Sequence, residues 1–456
     1  MSFNKSAQAK DLVMHSSPNV NIRPITAEVT KDHLIIGGCD TVELAQTFGT
    51  PLWVMDEKTI LQAIEVCKRG LANYPKARVF YAGKAFLCLA MCHLLKKAKV
   101  GIDVVSEGEL YTAIKANMAG QDIILHGNNK SAQEIETAID IDARIVIDNE
   151  SELKTVALLA AQKNKPAKIL LRIIPGVTGK THKYIQTGQD QSKFGLALGQ
   201  IPQLLRSIIE KHKNLQLLGF HSHIGSQLHD LEPFKQSIEI LAQTYANVKN
   251  EFAIELTELN VGGGLGIAYT EQEKPIPIET WTQVLAQTVI KEFKTVNLSL
   301  PTLLVEPGRA IVGTAGVTLY RVGYDKWTTK NTHYIAVDGG MADNPRPITY
   351  QAQYTACLAN RMGAAIADTP VTIVGKYCEQ GDIIIRESLI APEAGDLIAV
   401  FDTGAYNASM ASNYNRTGRP ACVLVNDGQA ETIIERESNA DLIVRDKVPK
   451  RLIDKT

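Results

Sequence analysis

From Lys76 to Ala310 the chain repeats one theme: a short apolar strand, a polar or glycine-bearing turn, then an amphipathic helix. Eight segments carry the strand pattern: ARVFYA (77–82), GIDVV (101–105), DIILH (122–126), ARIVID (143–148), KILLRII (168–174), LQLLGFHSH (215–223), ELNV (258–261) and TLLVE (302–306). Helical stretches such as SELKTVALLAAQK and IPQLLRSIIEKH fall between most of them. Near-continuous Val, Ile and Leu in strands that alternate with helices predict a parallel sheet buried on both faces. Eight such units over about 235 residues match a (β/α)8 barrel, with a doubly wound open sheet as the alternative.

Beyond Ala310 the texture changes. GVTLYRVGY, HYIAVDGG, VTIVGKY, DIIIRES, DLIAVFDTGAY, ACVLVND and TIIERE are short β-rich runs separated by Gly, Pro and Asp turns. The segment 33–56 holds one more strand and a short helix and suits either part. The expected architecture is α/β: a TIM-like barrel over 48–310 and a mainly β, sandwich- or barrel-like domain from 1–47 and 311–456.

Composition narrows the function classes. With 45% hydrophobic and 21% charged residues the chain is an ordinary globular protein, not a disordered or disulfide-built one. Its net charge of -1 offers no bias toward polyanions, so no nucleic-acid partner is expected. Seven dispersed cysteines suit reduced thiols, and no apolar run is long enough for a signal core or a membrane span. The expectation is a cytoplasmic protein with no membrane contact, whose basic C-terminal stretch RDKVPKRLIDKT is a solvated tail.

In a barrel the chemistry gathers at the carboxyl ends of the strands. Those ends deliver Lys84, Asp103 with Ser106, His126, Asp148 with Asn149, and Arg172. They continue with His221 and His223, Gly262-Gly263-Gly264, and Glu306 with Arg309. Lys84 is a candidate Schiff-base lysine, since burial there can depress its pKa; taken alone, a solvated lysine past a strand is the commoner case. The glycines of NVGGGLG leave backbone N–H groups unshielded, which suits a phosphate, though no Walker-type Lys-Ser/Thr follows. EPGR (306–309) offers a backbone donor beside a cation. These turns follow the seventh and eighth strands, where this barrel class usually binds phosphate. HSHIGS (221–226) sets two histidines on one strand face. A metal pair would need further ligands, so an imidazole against a flat ring, with Ser226 donating to a phosphate, fits the neighbouring turns better. Cys88 and Cys92, four apart on one helix, read as core.

Together YAGKA, HSHIGSQ, NVGGGLGI, EPGR, CEQGD and DTGAY resemble, in order, the motifs of barrel-type (fold type III) pyridoxal-phosphate decarboxylases. HGNNKS, DGGMADNPRPITY and GAYNASMASNYNRTGRP are similar to the diaminopimelate decarboxylase branch. The likeness runs from about Ile25 to beyond Pro420. It implies pyridoxal 5'-phosphate as cofactor, covalently held by Lys84, with His223 against the ring and Glu306 on the pyridine nitrogen. Asp103 is taken as a further cofactor contact. The phosphate would lie among Ser226, Gly262, Gly263, Gly264, Gly308, the backbone of Arg309 and Tyr406. Substrate contacts would come from Arg309, Arg346, Tyr350, Glu379 and Tyr406. Cys378 would be the proton donor, reaching in from a second subunit of a homodimer with shared sites. Two residues depart from the usual pattern, Gln380 where Ser is common and Asn344 where many members are apolar, and both lie beside the substrate residues.

The chemistry explains these residue types. Loss of CO2 from an amino acid leaves electrons on Cα, and the cofactor ring accepts them. An acidic partner such as Glu306 keeps the pyridine nitrogen protonated and favours decarboxylation, whereas a racemase resembling this family places an arginine there. The expected reaction is decarboxylation of meso-2,6-diaminopimelate at its D-centre to L-lysine and CO2. Glu379 can meet the distal ammonium, and Arg309 and Arg346 the distal carboxylate. A decarboxylase for ornithine, arginine or D-lysine is the alternative, disfavoured because those substrates lack a distal carboxylate. A cofactor-free aldolase using Lys84 would leave Glu306 and the two phosphate-type turns without a joint role. A regulatory, non-enzymatic homologue would be expected to have lost the lysine or the thiol, and both are present.

Overall fold

The computed structural model describes residues 17–177 and 192–453. They fall into two compact units: one holds the chain up to Ile25, Lys58–Ala315 and Gly404–Ser409; the other holds Thr26–Glu57, Gly316–Thr403 and the chain from Met410. Numbered along the chain, β1 (Glu28–Thr30), β2 (His33–Ile36), β3 (Cys39–Asp40) and β4 (Leu52–Asp56) belong to the second unit.

In the first unit the strands are β5 (Ala77–Ala82), β6 (Gly101–Val104), β7 (Ile123–Leu125), β8 (Arg144–Ile147), β9 (Ala167–Ile174), β10 (Leu196–Ala197), β11 (Leu215–His221), β12 (Glu258–Asn260) and β13 (Thr302–Val305). All pairings here are parallel, and β13 pairs back onto β5 with Leu303 opposite Ala77, so the sheet closes. The two-residue β10 hangs on the end of β9 outside that ring. Eight strands thus make a barrel, and closure excludes the open doubly wound sheet. Each predicted strand forms; several end one or two residues early, because the chain there already turns away toward its helix.

The interior is filled by Phe80, Ile124, Val146, Leu170, Leu218 and Leu304, one from each of six strands. At the amino ends of β8 and β12, Arg144 makes a buried two-pronged ion pair with Glu258, at 2.7 and 2.6 Å. That end is structural; the opposite end is left for chemistry. There the turns into three successive helices are capped by Ser106, Ser131 and Asn149, whose side chains accept the backbone N–H of Glu109, Glu134 and Glu152. Each such cap contributes about 1 kcal/mol and fixes the loops that carry the strand-end residues. The helix Glu57–Leu71, ahead of the first barrel strand, packs on helix Ile278–Thr295 through Arg69 and Glu279.

The second unit is mainly β. β14 (Gly316–Trp327) runs beside β4, β15 (His333–Val337) and β19 (Leu397–Val400). β16 (Ala356–Leu358) adds to β19, and β17 (Val371–Val374) and β18 (Ile383–Ser388) extend the sheet past β15. β20 (Ala421–Asn426) pairs with β4 and with β21 (Gln429–Ile434).

The units divide differently from limits at 48 and 310. β4 is antiparallel to β14 and parallel to β20, so the chain leaves the β unit only after Glu57. Residues 17–25 side with the barrel, where Asn19 donates to the carbonyls of Gly266 and Ile276. Gly404–Ser409 return to it as well, with Tyr406 N donating to Ala85 O. No helix among the described residues is long and apolar enough to cross a membrane.

Candidate active site at the barrel mouth

The centre of the site is Glu306, the residue after β13. Its Oε1 accepts from His126 Nε2 at 2.9 Å and Asn260 Nδ2 at 2.6 Å; its Oε2 accepts from His221 Nε2 at 3.1 Å. All four side chains are buried. Burial alone would raise the Glu306 pKa, but the two imidazoles and their hydrogen bonds outweigh it and hold the carboxyl well below the usual range. Burial pushes His221 the other way, down to about 4, so it stays neutral and serves as an N–H donor. His126, His221 and Glu306 are close enough to suit a metal ion, yet the Nε2 of each imidazole is engaged with the carboxylate.

Lys84 stands in the tight turn Gly83–Ala85 that follows β5. Burial pulls its pKa down, but Tyr406, Asp103 and Glu306 outweigh that, and the ammonium sits above its ordinary value. The depression expected from burial is thus reversed by acidic neighbours. Asp103 on β6 is itself buried, and burial raises its pKa despite the nearby His126 and Lys84. Two carboxyls of one cluster are therefore driven apart, Glu306 to the charged form and Asp103 toward the neutral one.

β11 ends at His221, so the strand face expected to carry both histidines does not extend to His223. His223 instead accepts the N–H of Gly263 on Nδ1 at 3.3 Å, and burial drives its pKa well down. In the glycine turn, Gly262 has φ +69°, and a Cβ there would meet Ser222 O at 2.5 Å; at Gly263 it would meet Glu306 O at 1.9 Å. No other residue fits between these strand ends. The N–H of Gly262 is committed to Asn260 Oδ1, so this glycine serves the turn by close approach rather than as an outward donor.

Arg309, predicted as a substrate ligand, is buried against the same face. It donates to Ser226 Oγ at 3.1 Å and Tyr269 OH at 2.5 Å, with its guanidinium 4.7 Å from the Tyr406 ring centre. Gly308 precedes it, packed on Ala82 and Ala85. The structure thus gathers Lys84, Asp103, His223, Ser226, Gly262, Gly263, Gly264, Glu306, Gly308, Arg309 and Tyr406 in the barrel unit. Reading from the residues left His126 and His221 without a role and passed over Asn260 and Tyr269. The signal for the first three was their place at the ends of β7, β11 and β12.

These residues fit a pyridoxal ring. A carboxylate has about four lone-pair positions, and the described donors to Glu306 number three, leaving one for a ring N–H. Asp103 Oδ1 is a buried oxygen without a hydrogen bond among the described residues. The glycine turn, Ser226 and Arg309 offer the small, donor-rich wall a phosphate needs.

The other four predicted residues lie in the β unit. Arg346 is buried, donating to Tyr354 OH at 2.8 Å, and Tyr350 ends the same short helix. Cys378, Glu379 and Gln380 form an exposed tip, held by Cys378 N on Asn415 Oδ1 at 3.1 Å and by Tyr414 OH on Glu379. Nearby Asp343 accepts from Gly340 N and Tyr320 OH, yet burial pushes its pKa up to about 7. Its ordinary value is 3.8, so between those limits the folded chain binds more protons than the unfolded one. Asp343 therefore favours folding less as pH rises through that window, and the effect levels off above about pH 7. Asp343→Asn should flatten the fall in denaturation midpoint between pH 5 and 7.5, leaving the part due to Glu109, also raised to about 7. An unchanged slope would refute this assignment.

Residues 60–313 match the family described as "Pyridoxal-dependent decarboxylase, pyridoxal binding domain". The diaminopimelate decarboxylase of Synechocystis sp. is 47% identical over 449 residues, covering 96% of this chain and 95% of the relative. That of Bacillus subtilis is 42% identical over 419 residues, covering 91% and 95%. The solved diaminopimelate decarboxylase of M. jannaschii in complex with L-lysine is similar with a TM-score of 0.86 at 35% identity, covering 94% of this chain and 99% of that one.

Proposed function

Because the chain belongs to the diaminopimelate decarboxylase family of pyridoxal-dependent enzymes, we propose how its own side chains divide the work of that reaction. The enzyme converts meso-diaminopimelate to L-lysine and CO2, a step of lysine biosynthesis, with pyridoxal 5'-phosphate as cofactor. The observation that carries the assignment of roles is the buried carboxylate of Glu306, held ionised by His126, His221 and Asn260 beside Lys84.

Lys84 would hold the cofactor covalently through its amine, and Glu306 would hold the ring nitrogen protonated. When bound, the cofactor supplies the electron sink for the pair released as CO2 leaves. His223 would lie along the ring, and Asp103 would be a further contact of the cofactor beside Lys84. Ser226, Gly264, Gly308, the backbone of Arg309 and Tyr406 would hold the phosphate, with Gly262 and Gly263 giving the turn its close approach. The buried guanidinium of Arg346, with Arg309, would take the distal carboxylate of the substrate; Tyr350, Glu379 and Tyr406 would complete the pocket. Placing the distal L-centre there leaves the D-centre as the reacting one.

Cys378 is the proposed acid. Its Sγ–H proton goes to the substrate Cα after CO2 departs, and the thiolate regains a proton from solvent. Its exposed tip suits a donor that reaches the site of a second subunit, and we assign the working form as a homodimer. The seven cysteines, free of disulfides in the structure, support a reducing, cytoplasmic setting. The deciding experiment follows CO2 and L-lysine together from meso-diaminopimelate, beside D-lysine, L-lysine and ornithine. Turnover should be confined to the first, and Cys378→Ala should lower kcat by about 10²-fold or more while the cofactor stays bound. Faster release of CO2 from ornithine would overturn the substrate assignment.

A further inference from the structure

The tip that carries Cys378 is exposed, so its position has to be set at its root. Cys378 N on Asn415 and Tyr414 on Glu379 are contacts between exposed groups and hold it weakly. At the root lies Asp382, buried, its N–H bonded to Glu379 O at 3.0 Å and its carbonyl to Gly375 N at 2.9 Å. Its carboxylate reaches two different turns. Oδ2 accepts Tyr377 N at 2.9 Å, the residue before Cys378, and Oδ1 accepts Met341 N at 2.6 Å.

Met341 belongs to the turn that leads to Arg346, and that turn is fastened in its own right. Asp343 accepts Gly340 N and Tyr320 OH, and Lys376 N donates to Gly339 O at 3.0 Å. The packing leaves Asp382 no room to move: a Cβ on Gly375 would stand 2.1 Å from Oδ2, and one on Gly340 2.5 Å from either carboxylate oxygen. One buried carboxylate therefore sets the distance between the turn of the proton donor and the turn of the arginine.

We propose that Asp382 is the positioning residue for the proton donor, tying the Tyr377–Glu379 turn to the fastened Met341–Arg346 turn so that the acid is held at a fixed place on its own unit. It touches neither substrate nor cofactor and acts only through the turn that carries Cys378. The inference rests on the reading of Cys378 as the acid. Misplacement by about 1 Å of a group in a proton transfer costs up to about 10²-fold, so the residue matters although it carries out no chemistry.

The test is a double-variant cycle on the holoenzyme. Asp382→Asn keeps the shape but offers one acceptor oxygen in place of two, so one turn is released. Its kcat should fall about tenfold or more, with the absorption of the bound cofactor unchanged. In a Cys378→Ala background the same substitution should lower kcat by no more than about twofold, because the group it positions is gone. Multiplicative losses in the double variant, or full kcat in Asp382→Asn, would overturn the proposal while leaving Cys378 as the acid. A fully active Cys378→Ala would overturn both. Gly375→Ala, which displaces the carboxylate without removing its charge, should reproduce the loss and its dependence on Cys378, and it carries the test if Asp382→Asn does not fold.

Discussion

Lys84→Ala should lower lysine formation by at least about 10³-fold and abolish the visible absorption of the covalently held cofactor. The amine stands in the turn after the first barrel strand, where Asp103 and Glu306 act on its charge. Those neighbours hold it protonated at rest, so the amine must give up a proton before it can act as a nucleophile, and no solvated lysine elsewhere would meet the same geometry. The substitution also removes the cation that offsets Asp103, so the carboxyl of Asp103 should become still more reluctant to ionise. Absorbance of the purified variant after incubation with pyridoxal 5'-phosphate, and its rate of CO2 release, are the measurements. A variant that kept the band of the wild-type protein would displace Lys84 from its role.

Glu306→Gln should behave differently: the cofactor band remains, because Lys84 remains, but kcat falls by about 10² to 10⁴-fold. Two effects add. The ring nitrogen loses the charge that keeps it protonated, which weakens the electron sink. The amide –NH2 also turns a donor toward His126 with Asn260 or toward His221, leaving a buried N–H unmatched at a cost of about 1–3 kcal/mol. Because Glu306 is ionised far below neutrality, the wild-type rate should show no titration of this carboxyl between pH 5 and 9. Glu306→Asp, which keeps the charge, should recover part of the rate. Equal rates for Glu306→Gln and the wild type would remove the carboxylate from the chemistry.

The barrel was legible because its signal is local and repeated. Each strand is a short Val/Ile/Leu run, each helix has its own apolar face, and the order of the two leaves few topologies. The strand ends were legible for the same reason, since the residue that follows an apolar run must lie at the mouth. What could not be read was which of these ends meet. His126, His221 and Asn260 are 180, 85 and 46 residues from Glu306 along the chain. Periodicity carries no information over such separations; only closure of the sheet brings the four ends to one point. The same holds for β4, whose apolar run of four residues suited either part of the chain until its pairing with β14 and β20 claimed it.

The charge states show the division again. The presence of Lys84, Glu306 and Cys378 in their motifs was enough to indicate the cofactor and the type of reaction. Whether Lys84 would be pushed down by burial or up by acidic neighbours depended on distances that the order of residues does not contain. Asp382 is the extreme case, a residue within a recognisable motif whose task is visible only in its two hydrogen bonds. The sequence by itself determined the elements, the strand-end chemistry and the family, because these follow from local patterning and short motifs. The tertiary structure alone decided which groups share a carboxylate, which way each pKa moves and how one turn is set against another, because electrostatics and hydrogen bonds act through space over a few ångströms and take no account of position along the chain.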